Sequence, residues 1–226
     1  YPLPMNLALA GLSYGVTIFA LILLAVQSRK LIAIFKTGQP DPTRSNNKPQ
    51  RLRMMLGEVF GHTKMLNFTV VGFAHWFVMV SFFGLFGTLV TAYGQLINPY
   101  FIIPVIGHFW VYEYITELLA WTTGIAIVAL IGIRQVTLRT NKRSRFAGSG
   151  NWKAYYVEAT VLAVVFCVIA LRGLEGALSD ETAWNRHFIT TWFIADMFKS
   201  MSLSQITLWI QIVATIKIVT SMLWFV

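Results

Sequence analysis

Cysteine is nearly absent from this sequence, and so are the short motifs of soluble enzymes. The single cysteine, Cys167, excludes an internal disulfide and a cysteine-ligated iron–sulfur cluster within these 226 residues. The chain contains no G-x-G-x-x-G, no G-x-x-x-x-G-K-[ST], no H-E-x-x-H and no C-x-x-C. The sequence therefore gives no support for nucleophilic catalysis, phosphoryl transfer or a zinc-peptidase site.

Charge is also scarce. Only 12% of the residues are charged and 56% are hydrophobic, whereas soluble domains carry about 25% charged residues. These proportions predict a membrane protein. The net charge of +9 comes mostly from two loops between apolar runs, so topology explains it and no nucleic-acid partner is expected.

Long apolar runs predict an all-α membrane protein, a bundle of five transmembrane helices, because a spanning helix needs about 20 apolar residues. The first apolar run is too long to be a cleavable signal, and it lacks the basic start of such a signal. A mixed-charge stretch with spaced aromatic residues, about 183–200, predicts a segment at the membrane interface. The predicted spans are about 7–34, 66–93, 105–134, 155–171 and 205–226.

The distribution of Lys and Arg predicts the orientation. The first loop, Arg29 to Lys64, holds eight and the third, Arg134 to Lys153, holds six, whereas the linker between spans two and three holds none. Positive residues stay on the cytoplasmic side, so the N-terminus is expected outside the plasma membrane and the C-terminal end inside. We expect more protein to follow Val226 in the cytoplasm.

The second predicted span contains His75 and no formally charged side chain. An ionisable group inside the bilayer is costly unless it is engaged, so His75 is a candidate ligand of a metal or haem, or part of a proton relay. A hydrogen-bonded packing role or a place in a quinone site is the alternative. Small residues on the same helix could admit a porphyrin plane: Gly72, Ala74, Gly84 and Gly87.

A second axial ligand for a haem at His75 is not determined by the sequence. His62 lies 13 residues earlier, which on an ideal helix is about 20 Å away along the axis and on a different face. A helix bend at the nearby glycines could change that relation. The other candidates are His108, His187, or Met79, Met197, Met201 and Met222.

Several other polar residues have positions that suggest a role. Glu113 and Glu117 are spaced i,i+4 on the third span, so they share one face and are candidates for a proton path. Arg172 and Arg186 are expected on the same outer side, where they could neutralise haem propionates or be ordinary surface charges. Lys217, about halfway along the fifth span, needs a carboxylate partner or must extend to the interface.

The stretch FAHWFVMVSFFGLFG in the second span, together with five spans, resembles the nitrate reductase gamma-subunit type of cytochrome b. The stretches GEVFGHTKMLNFTVVGFAHWFVMVSFFGLFGTL and TAWNRHFITTWF resemble more closely the N-terminal membrane domain of the heterodisulfide-reductase-related membrane iron–sulfur proteins. This second resemblance covers essentially the whole chain.

The resemblance implies a membrane-bound, quinone-linked oxidoreductase of the respiratory chain. Electrons would pass from reduced electron transfer flavoprotein, formed in fatty-acid β-oxidation, to iron–sulfur clusters in a cytoplasmic domain after the fifth span. From there they would pass through haem b to menaquinone in the membrane.

The sequence departs from the gamma-subunit pattern in two places. Met65 stands where the family has another span-two histidine, and the fifth span contains no histidine. The resemblance therefore implies one haem involving His75, rather than two. The alternatives are the cytochrome b subunit of another quinol-linked reductase, a haem-free anchor of a cytoplasmic iron–sulfur oxidoreductase, and a transporter.

Overall fold

The computed structural model describes residues 5–39, 41, 43, 46–140 and 151–225. The regular structure of these residues is helical, and they contain no strand. Helices satisfy every backbone polar group internally, as an apolar surrounding requires. The helices are α1 Leu7–Lys36, α2 Lys48–Phe60, α3 Thr69–Gly84, α4 Phe86–Ile97, α5 Trp110–Thr140, α6 Asn151–Leu178, α7 Trp192–Phe198 and α8 Leu203–Met222.

Among the described residues, four single helices are long and apolar enough to cross a membrane: Leu7–Lys36, Trp110–Thr137, Trp152–Leu178 and Leu203–Phe225, the last including a short 3-10 turn. The pair α3 and α4 passes the same test as one bent span, which brings the number to five. The predicted all-helical, multi-pass membrane character is confirmed at this level.

The second span is bent, by about 40°, at Leu85 between α3 and α4. Glycines flank the bend and let α5 approach closely. A Cβ on Gly84 would lie 2.4 Å from the Leu119 side chain, and one on Gly87 would lie 2.3 Å from the Tyr112 hydroxyl. The bend is therefore packed against α5, which agrees with the general association of helix kinks with glycine.

Helix α6 is longer than the predicted fourth span, which was expected to end near Leu171. It continues to Leu178, and this extra length places Arg172 and Glu175 inside the helix on one side, three residues apart. The predicted span ended just before Arg172, the first charged residue after the apolar run, but this arginine forms ion pairs with Glu117 and Glu175 inside the bundle.

Helix α8 lies at the centre of the bundle and packs against α6, α4 and α1. Its start is fixed by a capping box between Ser202 and Gln205. By contrast, α2 contains no buried residue, and its last ring, Phe60, lies 5.7 Å from the ring of Phe83. Within the predicted interfacial segment 183–200, α7 is a short helix that packs on α6.

Candidate functional site

A buried polar network surrounds Arg172 where α6 approaches its end; we call this side of the bundle the Arg172 end. The guanidinium donates to Glu175 at 2.8 Å, to Glu117 at 3.2 and 3.3 Å, and to the backbone carbonyl of His187. Glu113 forms a further ion pair with it at 3.6 Å. One cation thus holds three carboxylates from two helices and a loop carbonyl.

Glu117 is the most completely hydrogen-bonded of these carboxylates, and it is only 1% exposed. Besides the two bonds from Arg172, it accepts bonds from the backbone N–H and hydroxyl of Thr190, at 2.8 and 2.5 Å, and from the Thr191 hydroxyl, at 2.8 Å. These bonds fasten the loop before α7 onto α5. The pattern indicates a structural contribution, and the predicted proton-path role of Glu117 remains a prediction.

Glu113 connects this network to two histidines. Its carboxylate lies 2.6 Å from His187 Nδ1 and 3.8 Å from His108 Nδ1. The two imidazole rings are stacked, with centroids 4.6 Å apart. The His108 side chain is 67% exposed, whereas Glu113 is buried, so the cluster runs from the surface into the bundle. Arg186, which is exposed, donates to His187 Nε2 at 3.3 Å.

A polar cavity of about 50 Å³ lies beside this network, between α4, α5, α6 and α8. It is large enough for a few water molecules. Gln95 Nε2 donates to Glu175 at 2.6 Å, while Gln95 Oε1 and the Tyr112 hydroxyl have no hydrogen-bond partner among the described residues. Both residues line the cavity, so it offers unused polar atoms to a water molecule or a ligand group.

Lys217 also lines the polar cavity and is 1% exposed. The sequence interpretation offered a carboxylate partner or extension to the interface, and the structure shows neither. The amino group instead donates to the backbone carbonyl and the hydroxyl of Thr88, at 2.7 and 2.8 Å. An ammonium group has three N–H donors, so one remains for the contents of the cavity.

A second cavity, of about 390 Å³, is almost entirely apolar. Its few polar groups include the Tyr93 hydroxyl, which lies 2.6 Å from the Thr17 hydroxyl. The two cavities share helices α4 and α8, since Thr88 and Lys217 line the polar one while Leu89 and Ser221 line the apolar one. One turn of α8 therefore separates Lys217 from the apolar cavity.

His75 is not part of either cavity. It is exposed on α3 and makes no hydrogen bond or ion pair with the described residues. His62 is not on the same helix: it follows the end of α2, with φ of 49°, and its Nδ1 lies 2.9 Å from the Val59 carbonyl.

Haem ligation by His75 remains a prediction, and the structure separates His75 from two of its candidate second ligands. The proposed second ligands His108 and His187 belong to the Arg172 end, on the far side of the Leu85 bend. Two of the four small residues expected to admit a porphyrin are covered by side chains of α5: Leu119 lies against Gly84, and Tyr112 lies against Gly87. Arg172, expected to neutralise haem propionates, is fully engaged with protein groups.

The structure thus unites five of the eight candidate residues, Glu113, Glu117, Arg172, His108 and His187, with Arg186 at their edge, and leaves His75 and His62 elsewhere. The sequence interpretation missed Glu175, although its i,i+3 spacing from Arg172 was a usable signal. It also missed Gln95, Thr190 and Thr191, which no sequence pattern marks.

No family model, curated protein or solved structure matches this chain.

Proposed function

We propose that the chain is the membrane domain of a quinone-linked oxidoreductase, with the quinone in the apolar cavity and protons supplied through the polar one. The observation that carries this proposal is that the two cavities share helices α4 and α8: Thr88 and Lys217 line the polar cavity, and Leu89 and Ser221, farther along the same helices, line the apolar one. Quinone reduction takes up two protons with its two electrons, so an apolar ring site needs a polar neighbour. A volume of about 390 Å³ lies in the range of small-molecule sites.

The finer proposal is an electron transfer flavoprotein:menaquinone oxidoreductase of the mycobacterial type. It is supported by the resemblance of the two quoted stretches and by the basic loops beside the Arg134 end of α5, which favour a cytoplasmic location for that end. The five spans would lie in the plasma membrane, and the proposal includes iron–sulfur clusters in a cytoplasmic domain. Haem b is proposed at His75, and the proposed quinone site does not depend on it.

The quinone site can be tested by filling the apolar cavity. Val165, on α6, is buried and lines it, so Val165→Phe places a ring where the quinone is proposed to bind. We expect the KM for menaquinone to rise about tenfold or more in the full-length protein, assayed with reduced electron transfer flavoprotein, because most of the apolar contact surface is lost.

Val157→Phe is the matched control, since Val157 is exposed on the same helix and the same change there adds a ring outside the cavity. Its KM is expected to equal that of the parent protein. Equal KM values for Val165→Phe and the parent, with both proteins folded, would place the quinone elsewhere.

A haem-free anchor is the second candidate, and the exposure of His75 without a ligand-type partner in the described chain favours it. In that case His75→Ala should retain full quinone reduction, and a dithionite-reduced minus oxidised spectrum should show no b-type band. A b-type band that disappears in His75→Ala would instead establish haem ligation by this residue and rule out the haem-free form.

A further inference from the structure

We propose that His108, Glu113 and His187 form a binding site for a divalent transition metal of the zinc type at the Arg172 end. The three residues come from the segment before α5, the first turn of α5 and the loop between α6 and α7. A bound ion would join this loop to α5. The proposal concerns metal binding alone and is independent of the quinone function.

The geometry is that of a nearly assembled ligand set. One ligand atom from each residue lies within 4.8 Å of the other two. Tetrahedral zinc with bonds of about 2.0–2.1 Å to nitrogen and oxygen requires ligand atoms roughly 3.4 Å apart. His187 Nδ1 lies 2.6 Å from Glu113 Oε2 and His108 Nδ1 lies 3.8 Å from Glu113 Oε1, so the distances to the two carboxylate oxygens bracket that spacing.

The chemistry of the set is also suitable. Two imidazoles and one carboxylate are a known combination for zinc, with a fourth position left for water. The exposed side chain of His108 gives an ion a route from the solvent. Around the ligands, Arg172 fixes the Glu113 carboxylate and Asn185 fixes the His187 backbone through a 2.8 Å bond, as supporting residues of metal sites do.

Carboxylates and cations lie together around the proposed site. Glu113, Glu117 and Glu175 are three carboxylates gathered around the Arg172 guanidinium. Arg186, which is exposed beside His187, and Lys217, farther along the polar cavity, are the other cations near them. A bound metal ion would place positive charge directly on the buried Glu113 carboxylate, and buried charges are stable when they are paired.

The test is Co²⁺ and Zn²⁺ titration of the purified full-length protein in detergent. We expect one Co²⁺ per chain with visible absorption bands of a four- or five-coordinate site, displaced by Zn²⁺. His108→Ala is the informative variant, because this exposed side chain can be removed without disturbing the buried network. It should weaken Zn²⁺ binding roughly 10- to 100-fold, as should His187→Ala.

His62→Ala is the matched control, since it removes a histidine outside the cluster and should leave the affinity unchanged. Zn²⁺ should also raise the unfolding temperature of the parent protein and of His62→Ala, but not that of His108→Ala. The proposal is overturned if no ion binds at stoichiometric level, or if both cluster variants bind Zn²⁺ as tightly as the parent.

Discussion

Replacing Arg172 with Gln is expected to destabilise the protein by about 3–5 kcal/mol, the usual cost of removing one partner from a buried ion pair. The reason lies in the arrangement of the Arg172 end. Without the guanidinium, Glu113, Glu117 and Glu175 face one another without their shared cation, and the His187 carbonyl loses its donor. For a chain of this size such a loss lowers the unfolding temperature by roughly 10 °C.

The chain offers its own probe for this measurement. Cys167 is the single cysteine, it is buried, and it lies on α6 only five residues before Arg172. In a protein of these 226 residues, a thiol-reactive fluorophore therefore reports unfolding of this helix as the temperature rises. Arg172→Lys should fall between the parent and Arg172→Gln, because it keeps the charge but loses the planar fork that reaches several acceptors.

Arg186→Gln is the matched control for this change. Arg186 belongs to the same loop but is exposed. It donates a hydrogen bond to the His187 ring and takes no part in the buried ion pairs. The control should unfold within about 0.5 kcal/mol of the parent. Equal stability of Arg172→Gln and Arg186→Gln would show that the buried network does not hold the loop.

The Arg172 network also explains what could be predicted from sequence and what could not. Apolar runs predicted the spanning helices, because a spanning helix is specified by its own composition, but not their ends: α6 continues seven residues past the predicted Leu171. The i,i+4 spacing of Glu113 and Glu117 correctly placed both on one buried face. Their partners could not be predicted, since Thr190 and Thr191 lie more than 70 residues away and meet Glu117 only through tertiary packing.

The bend at Leu85 and the position of His75 show a second limit. The run from Leu66 to Tyr93 is predominantly apolar and contains no formally charged side chain, so its hydropathy predicts one straight span and does not show which face of the helix carries His75. The direction of that imidazole depends on how α3 packs on α5, which a single sequence does not encode as a pattern. The sequence therefore shows how far along the apolar run His75 lies, but it does not predict that the side chain is exposed.

Lys217→Met is expected to reduce quinone turnover about 100-fold while leaving the protein as stable as the parent. Stability should change little because Lys217 forms no ion pair with the described residues, so that removing it also removes the cost of burying an unpaired charge. Turnover should fall because Met cannot donate to the contents of the polar cavity, and proton transfer by a positioned group contributes roughly 10²–10⁴-fold. This expectation rests on the proposed quinone function, and the measurement is kcat for menaquinone in the full-length protein.

The two quinone predictions separate binding from proton supply. Val165→Phe should raise KM, whereas Lys217→Met should lower kcat with little change in KM, because Lys217 lines the polar cavity and not the apolar one. Gln211→Leu is the matched control for Lys217. This variant also removes a buried polar side chain from α8. The Gln211 amide donates to the Leu96 carbonyl, and Gln211 lines neither cavity. A normal kcat in Lys217→Met would remove Lys217 from the proton route, even if the quinone still binds beside it.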